Sequence, residues 1–211
     1  MNSIRHSVRH SIARMGGSRL VGLRWIWGGN SALDSWGWFE SLRTGVPCDR
    51  NGSPIPWISY PAVFILRDRV KSTFRVFEFG SGYSTLWWAK NVAHVTSCEH
   101  DADWSRTIAK DAPDNVTLLS IPLDEQYPLA ACQTGETYNI LVVDGRKRTR
   151  SALSSIKSLQ EDGVIVWDDT DRPWYQDGIK TLRQQGFRQL DLVGFSPLVA
   201  ESKQTSIFYR N

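Results

Sequence analysis

Cysteine is scarce in this 211-residue chain, methionine scarcer still, and the first 33 residues contain no acid at all. The three cysteines, Cys48, Cys98 and Cys132, are odd in number and show no Cys-x-x-Cys spacing, which argues against both a disulfide framework and a zinc site. A reducing compartment fits, and a cytoplasmic location is expected. The longest uncharged stretch of note, 51–66, is interrupted by Pro54, Pro56 and Pro61 and falls short of the ~20 apolar residues of a spanning helix. No long apolar region opens the chain, so a secretory signal is not expected.

The missing acid at the N-terminus shapes the charge distribution. Arg5, Arg9, Arg14, Arg19 and Arg24 contribute +5 to a net charge of +3, so the remainder carries −2. A body of that sign is not a basic nucleic-acid surface, and no nucleic-acid partner is expected. Placed on a helix, Ile4, Val8, Ile12 and Met15 share one narrow face before Gly16-Gly17. Three readings stay open for this arm: a helix docking on the domain or a partner, an arm that is disordered or in weak contact with a membrane surface, or an organellar transit peptide. The last would move the protein from cytoplasm to organelle.

Tryptophan, by contrast, is abundant, with ten residues spread from Trp25 to Trp174. Side chains this large are expected mostly in the core or lining a cleft. Between Leu33 and Leu66 the chain is rich in Trp, Gly and Pro with no regular period, which suits an ordered lid or packing segment better than a linker. Trp57 and Tyr60 are candidates to face a ligand there, core packing being the simpler expectation. The spacing predicts strands at 75–79, 95–99, 116–121, 140–143 and 164–167, with helices at 85–92, 103–110, 150–159 and about 174–185, the last stopped by Gly186. Continuously apolar strands separated by helices imply a parallel sheet covered on both faces. The tail differs: 187–195 and 205–209 read as strands joined without a helix, hence antiparallel at one edge. The expected organisation is a basic arm (1–33), a Trp/Pro-rich cap (34–70) and a catalytic body (71–211).

The first strand runs into Glu78-Phe79-Gly80-Ser81-Gly82-Tyr83-Ser84-Thr85. Glycines at 80 and 82 permit a tight turn and close approach of a ligand, and the helix beginning near Ser84 or Thr85 aims unpaired N–H groups at the same place. Glu99 follows Glu78 by 21 residues, near the ~20-residue offset at which an acid meets ribose hydroxyls. A nicotinamide or flavin fingerprint would want glycine at 85, where Thr85 stands, and usually no carboxylate at 78. In an open α/β sheet the ligand sits at the strands' C-terminal ends, where Glu78, Glu99, Asp144, Asp168 and Asp169 gather.

These residues resemble class I S-adenosylmethionine-dependent methyltransferases, whose first motif is an apolar strand ending in Asp or Glu, then x-Gly-x-Gly. The likeness covers about 70–211 and implies an α/β, Rossmann-like, doubly wound and mostly parallel seven-stranded sheet with its last strand antiparallel. It implies S-adenosylmethionine as cofactor, with Gly80 and Gly82 bordering the methionine moiety, Glu78 helping to hold its amino group and Glu99 accepting from the ribose hydroxyls. Tyr83, Ser84 and His100 flank these positions as further cofactor-binding candidates. Ser84 stands where many members carry a third glycine, and its hydroxyl is able to cap the helix.

A second stretch, Asp144-Gly145-Arg146-Lys147 with Asp168-Asp169 after the next strand, looks like the catechol-type O-methyltransferases. That likeness implies Mg²⁺ held by Asp144, Asp168 and Asp169, with Asp144 and Lys147 as catalytic residues and Lys147 taking the acceptor's proton. Asp169 departs from the family's Asn. The plainer alternative is that these acids favour a helix start, and that Arg146, Arg148 and Arg150 either bind an anionic substrate or form a solvated basic turn. The expected function is methyl transfer to a small, hydroxylated acceptor. Its rivals are a ligand- or partner-binding protein without methyl transfer, and another reaction on the same fold, such as aminopropyl or hydride transfer.

Overall fold

A computed structural model describes residues 18–28 and 31–210; Ile4, Val8, Ile12 and Met15 lie outside them. Seven strands, β1 (Arg75–Phe79), β2 (His94–Glu99), β3 (Val116–Ser120), β4 (Tyr138–Val143), β5 (Leu159–Asp168), β6 (Arg188–Ser196) and β7 (Val199–Tyr209), form one sheet. Their order is β3-β2-β1-β4-β5-β7-β6. The first five pair in parallel, and β7 runs antiparallel to both β5 and β6. The fold expected from the sequence is therefore present, with one refinement: the last strand inserts between β5 and β6, and β6 forms the edge.

Helices α1 (Ser18–Ile26), α2 (Ala32–Trp36), α3 (Trp38–Thr44) and α4 (Tyr60–Arg69) precede the sheet. Within it run α5 (Tyr83–Asn91), α6 (Ala102–Ala109), α7 (Ala130–Gln133), α8 (Arg148–Ser155) and α9 (Gln176–Gln184). Strand alternation sorts β1, β4 and β5 into two cores. Val76, Ile140, Val142 and Val166 pack with Tyr60, Val63, Leu66, Trp87 and Trp88 from α4 and α5. Phe77, Phe79, Leu141, Val143, Ile165 and Trp167 pack on the other face with Tyr127, Ala152, Ile179 and Leu182.

The segment 33–66, read as aperiodic, holds three helices. Ser31 caps α2 by accepting from the Asp34 N–H at 3.1 Å, and Gly37, at φ 88°, ends α2 and begins α3. Helices of 5 and 7 residues are too short to display a 3.6-residue period. In α4 the signal is hidden differently: Tyr60, Ala62, Val63 and Leu66 are all buried, so no clean polar face alternates with an apolar one.

Register decides where the site forms. Phe79 pairs with Cys98 and Val143, and Val143 pairs with Trp167. Four strands thus end on one line, and the next residue of each, Gly80, Glu99, Asp144 and Asp168, stands at the same lip of the sheet.

Candidate active site

A cavity of about 550 Å³ opens at this lip. One side is the turn after β1, with Gly80, Ser81, Gly82, Tyr83 and Ser84, together with Glu99, His100 and Trp104. The other side is Asp144, Gly145, Arg146 and Arg148 after β4. Val46, Pro47, Trp57 and Leu198 add an apolar wall from outside the parallel strands.

Gly80 is at φ 91°, in the left-handed region, and a Cβ there would fall 2.9 Å from the Gly145 Cα. The β1 and β4 turns therefore touch backbone to backbone. Gly82 is extended, and a Cβ on it would meet only the Ser84 hydroxyl at 3.9 Å. Helix α5 starts at Tyr83, earlier than the sequence suggested. Its cap bond is made by Thr85, whose Oγ1 accepts from the Gly82 N–H at 3.0 Å, rather than by Ser84.

The two carboxylates expected at the cofactor differ in position. Glu99 lines the cavity and accepts from three backbone N–H groups, Ser81 at 3.1 Å, His100 at 2.7 Å and Asp101 at 2.9 Å, while His100 Nδ1 lies 2.6 Å away. Glu78, by contrast, is fully buried and absent from the cavity lining. Strand alternation turns it to the face that α5 covers, where the Thr85 and Ser97 hydroxyls donate to its Oε2. Its Oε1 has no partner among the described residues. Burial pushes the Glu78 carboxyl up to about 7 against the hydroxyl hydrogen bonds. Its direct contact with a ligand thus gives way to a supporting place under the turn: through Thr85 it fixes the Gly82 N–H.

Asp144, Asp168 and Asp169 come together as the sequence suggested, but two cations of the chain stand among them. Arg148 donates to Asp169 Oδ2 at 2.9 Å, pairs with Asp144 Oδ1 at 2.9 Å, and lies 3.9 Å from Asp168 Oδ2. Lys203 is 2.6 Å from Asp168 Oδ2 and 3.7 Å from Asp169 Oδ1. Thr205 donates to Asp168 Oδ1 at 2.7 Å, and Arg172 pairs with Asp169 at 2.8 Å. Neither Asp168 nor Asp169 lines the cavity. Mg²⁺ requires near-octahedral oxygen donors, and these oxygens are already turned to ammonium and guanidinium. The donor set does not fit the metal, and among the described residues no group of three His, Cys, Asp or Glu side chains could hold one.

Lys147 is corrected too. It sits in the left-handed region at φ 48°, and its Nζ donates to the Asp124 carbonyl at 2.8 Å, outside the cavity lining. The same kink brings Arg146 to the cavity. Of the proposed catalytic pair only Asp144 borders the open space, and burial raises its carboxyl against the pull of Arg148 and Lys203.

The sequence reading missed several residues that build this site. The sequence marks Thr85 as a missing glycine and a candidate helix start, not as the hydroxyl that ties Gly82 to Glu78. Lys203 comes from the last strand and Trp104 from α6, where its Nε1 donates to the Ser81 carbonyl at 2.7 Å; neither has a local signal. Tyr60 is wholly buried, whereas Trp57, raised beside it, is 44% exposed and faces the cavity.

Residues 77–170 match the family model described as a methyltransferase domain. This part of the chain is a methyltransferase domain. The solved structures similar to it share its fold. A putative O-methyltransferase from Klebsiella pneumoniae is 15% identical over 90% of this chain and 94% of that one, with a TM-score of 0.57. An rRNA methylase from Streptococcus thermophilus is 12% identical over 74% and 100%, TM-score 0.55. A putative methyltransferase from Streptococcus mutans, in complex with SAH, is 11% identical over 72% and 99%, TM-score 0.52. No curated protein sequence matches the chain. Among the described residues no helix is long and apolar enough to cross a membrane.

Proposed function

We propose that the cleft binds S-adenosylmethionine against Gly80–Ser84, Glu99 and His100, and that a small hydroxylated acceptor enters beside Asp144. The observation that carries this reading is the one-line ending of β1, β2 and β4, which sets the glycine turn, Glu99 and Asp144 around a single cavity. The turn leaves room at Gly82 for a ligand to approach the backbone, and the Glu99 carboxylate is an acceptor suited to a diol. Tyr83 and Ser84 open α5 beside that space, so its N-terminal N–H groups suit a carboxylate. When bound, the cofactor supplies an electrophilic methyl group on a sulfonium, which leaves as a neutral thioether.

The residues of the chain do the rest. Glu99 and Asp144 place acceptor oxygens on two sides of the cavity. Asp144, with its carboxyl raised by burial, accepts the acceptor's hydroxyl proton as the oxygen attacks. Arg148 holds that carboxylate in place through Oδ1 and, by donating to the Gly145 carbonyl at 3.0 Å, fixes the turn that carries it. Catalysis then rests mainly on alignment of acceptor and methyl group.

Calorimetric titration with S-adenosylhomocysteine tests the cofactor part: binding in the parent and a loss of roughly tenfold or more in Glu99→Ala are expected. Unchanged heats in that variant would sink it. With an acceptor in hand, Asp144→Asn is expected to lower kcat by about 10²-fold or more while cofactor binding persists.

A further inference from the structure

Three arginines follow β4 at alternate positions, and the structure gives each a different fate. Arg150 pairs with Glu125 on the exterior. Arg148 spends its donors on the Asp144, Gly145 and Asp168 carbonyls and on the Asp144 and Asp169 carboxylates, so it is a cross-link of the site with little left to offer. Arg146 lines the cavity and makes no side-chain hydrogen bond or ion pair with any described residue. Lys147 between them is held at Asp124 and near Glu125.

Arg146 is thus an exposed cation bordering the cavity, without a carboxylate partner among the described residues. It shares the cavity with a wall formed by Val46 and Pro47 after α3, Trp57 before α4, and Leu198 in the β6–β7 turn, all outside the 77–170 match. The wall is braced. Trp38 Nε1 donates to the Val199 carbonyl at 2.9 Å, and Lys203 Nζ donates to the Trp57 carbonyl at 3.0 Å. An unpaired guanidinium opposite an apolar, partly aromatic wall suits an amphiphilic anion, because the planar donor fork matches carboxylate or phosphate oxygens.

We propose that Arg146 selects the acceptor, and that the acceptor carries a carboxylate or phosphate on an apolar body seated against Val46, Pro47, Trp57 and Leu198. This rests on the methyl-transfer reading of the same cleft. The anion docks on Arg146, the apolar body covers the wall, and the hydroxyl is left facing Asp144.

The test uses the full-length protein saturated with S-adenosylhomocysteine, titrated with benzoate and phenyl phosphate and with the neutral benzamide and phenol, binding being read by ligand-observed NMR. At least one anion is expected to bind roughly tenfold more tightly than its neutral counterpart. That preference is expected to vanish in Arg146→Gln, to survive partly in Arg146→Lys, and to be untouched in Arg150→Gln. Equal affinity of charged and neutral probes, or no binding of either at tens of millimolar, overturns the proposal. So does a preference that survives Arg146→Gln. A fourth result overturns it differently: if Arg146→Gln weakens S-adenosylhomocysteine binding and leaves the benzoate preference intact, the arginine serves the cofactor's own carboxylate. Failure of the parent to bind S-adenosylhomocysteine at all would instead strike the cofactor reading.

Discussion

Glu78 is a carboxylate that the fold keeps protonated to higher pH than water would. An unfolded glutamate titrates near 4.5, and the buried one near 7. Between these values the folded chain binds a proton that the unfolded chain has lost, so this residue's contribution to stability falls as pH rises from 4.5 towards 7, then levels off. Glu78→Gln keeps an oxygen for Thr85 and Ser97 to donate to and carries no charge. Relative to the parent it is expected to gain stability between about pH 5 and about pH 8, by on the order of 3 kcal/mol at most. Urea unfolding across that range decides it, and identical pH slopes for the two proteins would show that burial does not govern this group. The type of residue at 78 and its offset from Glu99 were readable in the chain. Its direction was not, because alternation assigns a face only once the helices covering that face are known.

At the scale of elements, the turn between β1 and α5 depends on a hydroxyl that the motif does not advertise. Thr85 accepts from the Gly82 N–H and donates to Glu78, joining helix cap to strand. Thr85→Val preserves shape and removes both bonds, and a loss of about 1–3 kcal/mol is expected, with weaker S-adenosylhomocysteine binding. Thr85→Ser is expected to restore most of both. Chemical denaturation and calorimetry on the pair check this; a Val variant as stable as the parent would mean that the turn holds itself. The parallel strands and their helices were legible because apolar runs and the 3.6-residue period are local properties, as β1 at Arg75–Phe79 illustrates. The helices α2, α3 and α4 escaped because short length and all-round burial erase that period.

Across the whole molecule, the charges gathered from β4, β5, α8 and β7 replace the metal that the Asp144, Asp168 and Asp169 pattern suggested. Lys203 reaches back from the final strand to Asp168 and to the Trp57 carbonyl, so one side chain links the sheet's lip to the apolar wall. Methyl transfer is therefore expected to persist in EDTA. Lys203→Met leaves Asp168 short of its partner in a buried place, where burial already raises that carboxyl to about 7, and a loss on the order of 3 kcal/mol is expected. Thermal unfolding of the variant and activity after chelation check the two halves separately; activity abolished by EDTA and restored by Mg²⁺ would return the metal to this site. We further propose that residues 34–70 act as a cap whose loop 45–57 completes the acceptor wall, since Val46, Pro47 and Trp57 face the cavity.

By itself the sequence determined the alternating strands and helices, the glycine turn with its two acids, and the antiparallel ending, because each is written in neighbouring residues and short periods. Only the tertiary structure decided which of those groups meet a ligand. It buried Glu78, tied Lys147 to the Asp124 carbonyl, left Arg146 bordering the cavity, and set Arg148 and Lys203 among the three aspartates. Those outcomes depend on strand register and on partners more than twenty residues distant, as the Lys203–Asp168 pair shows, and no local pattern encodes them.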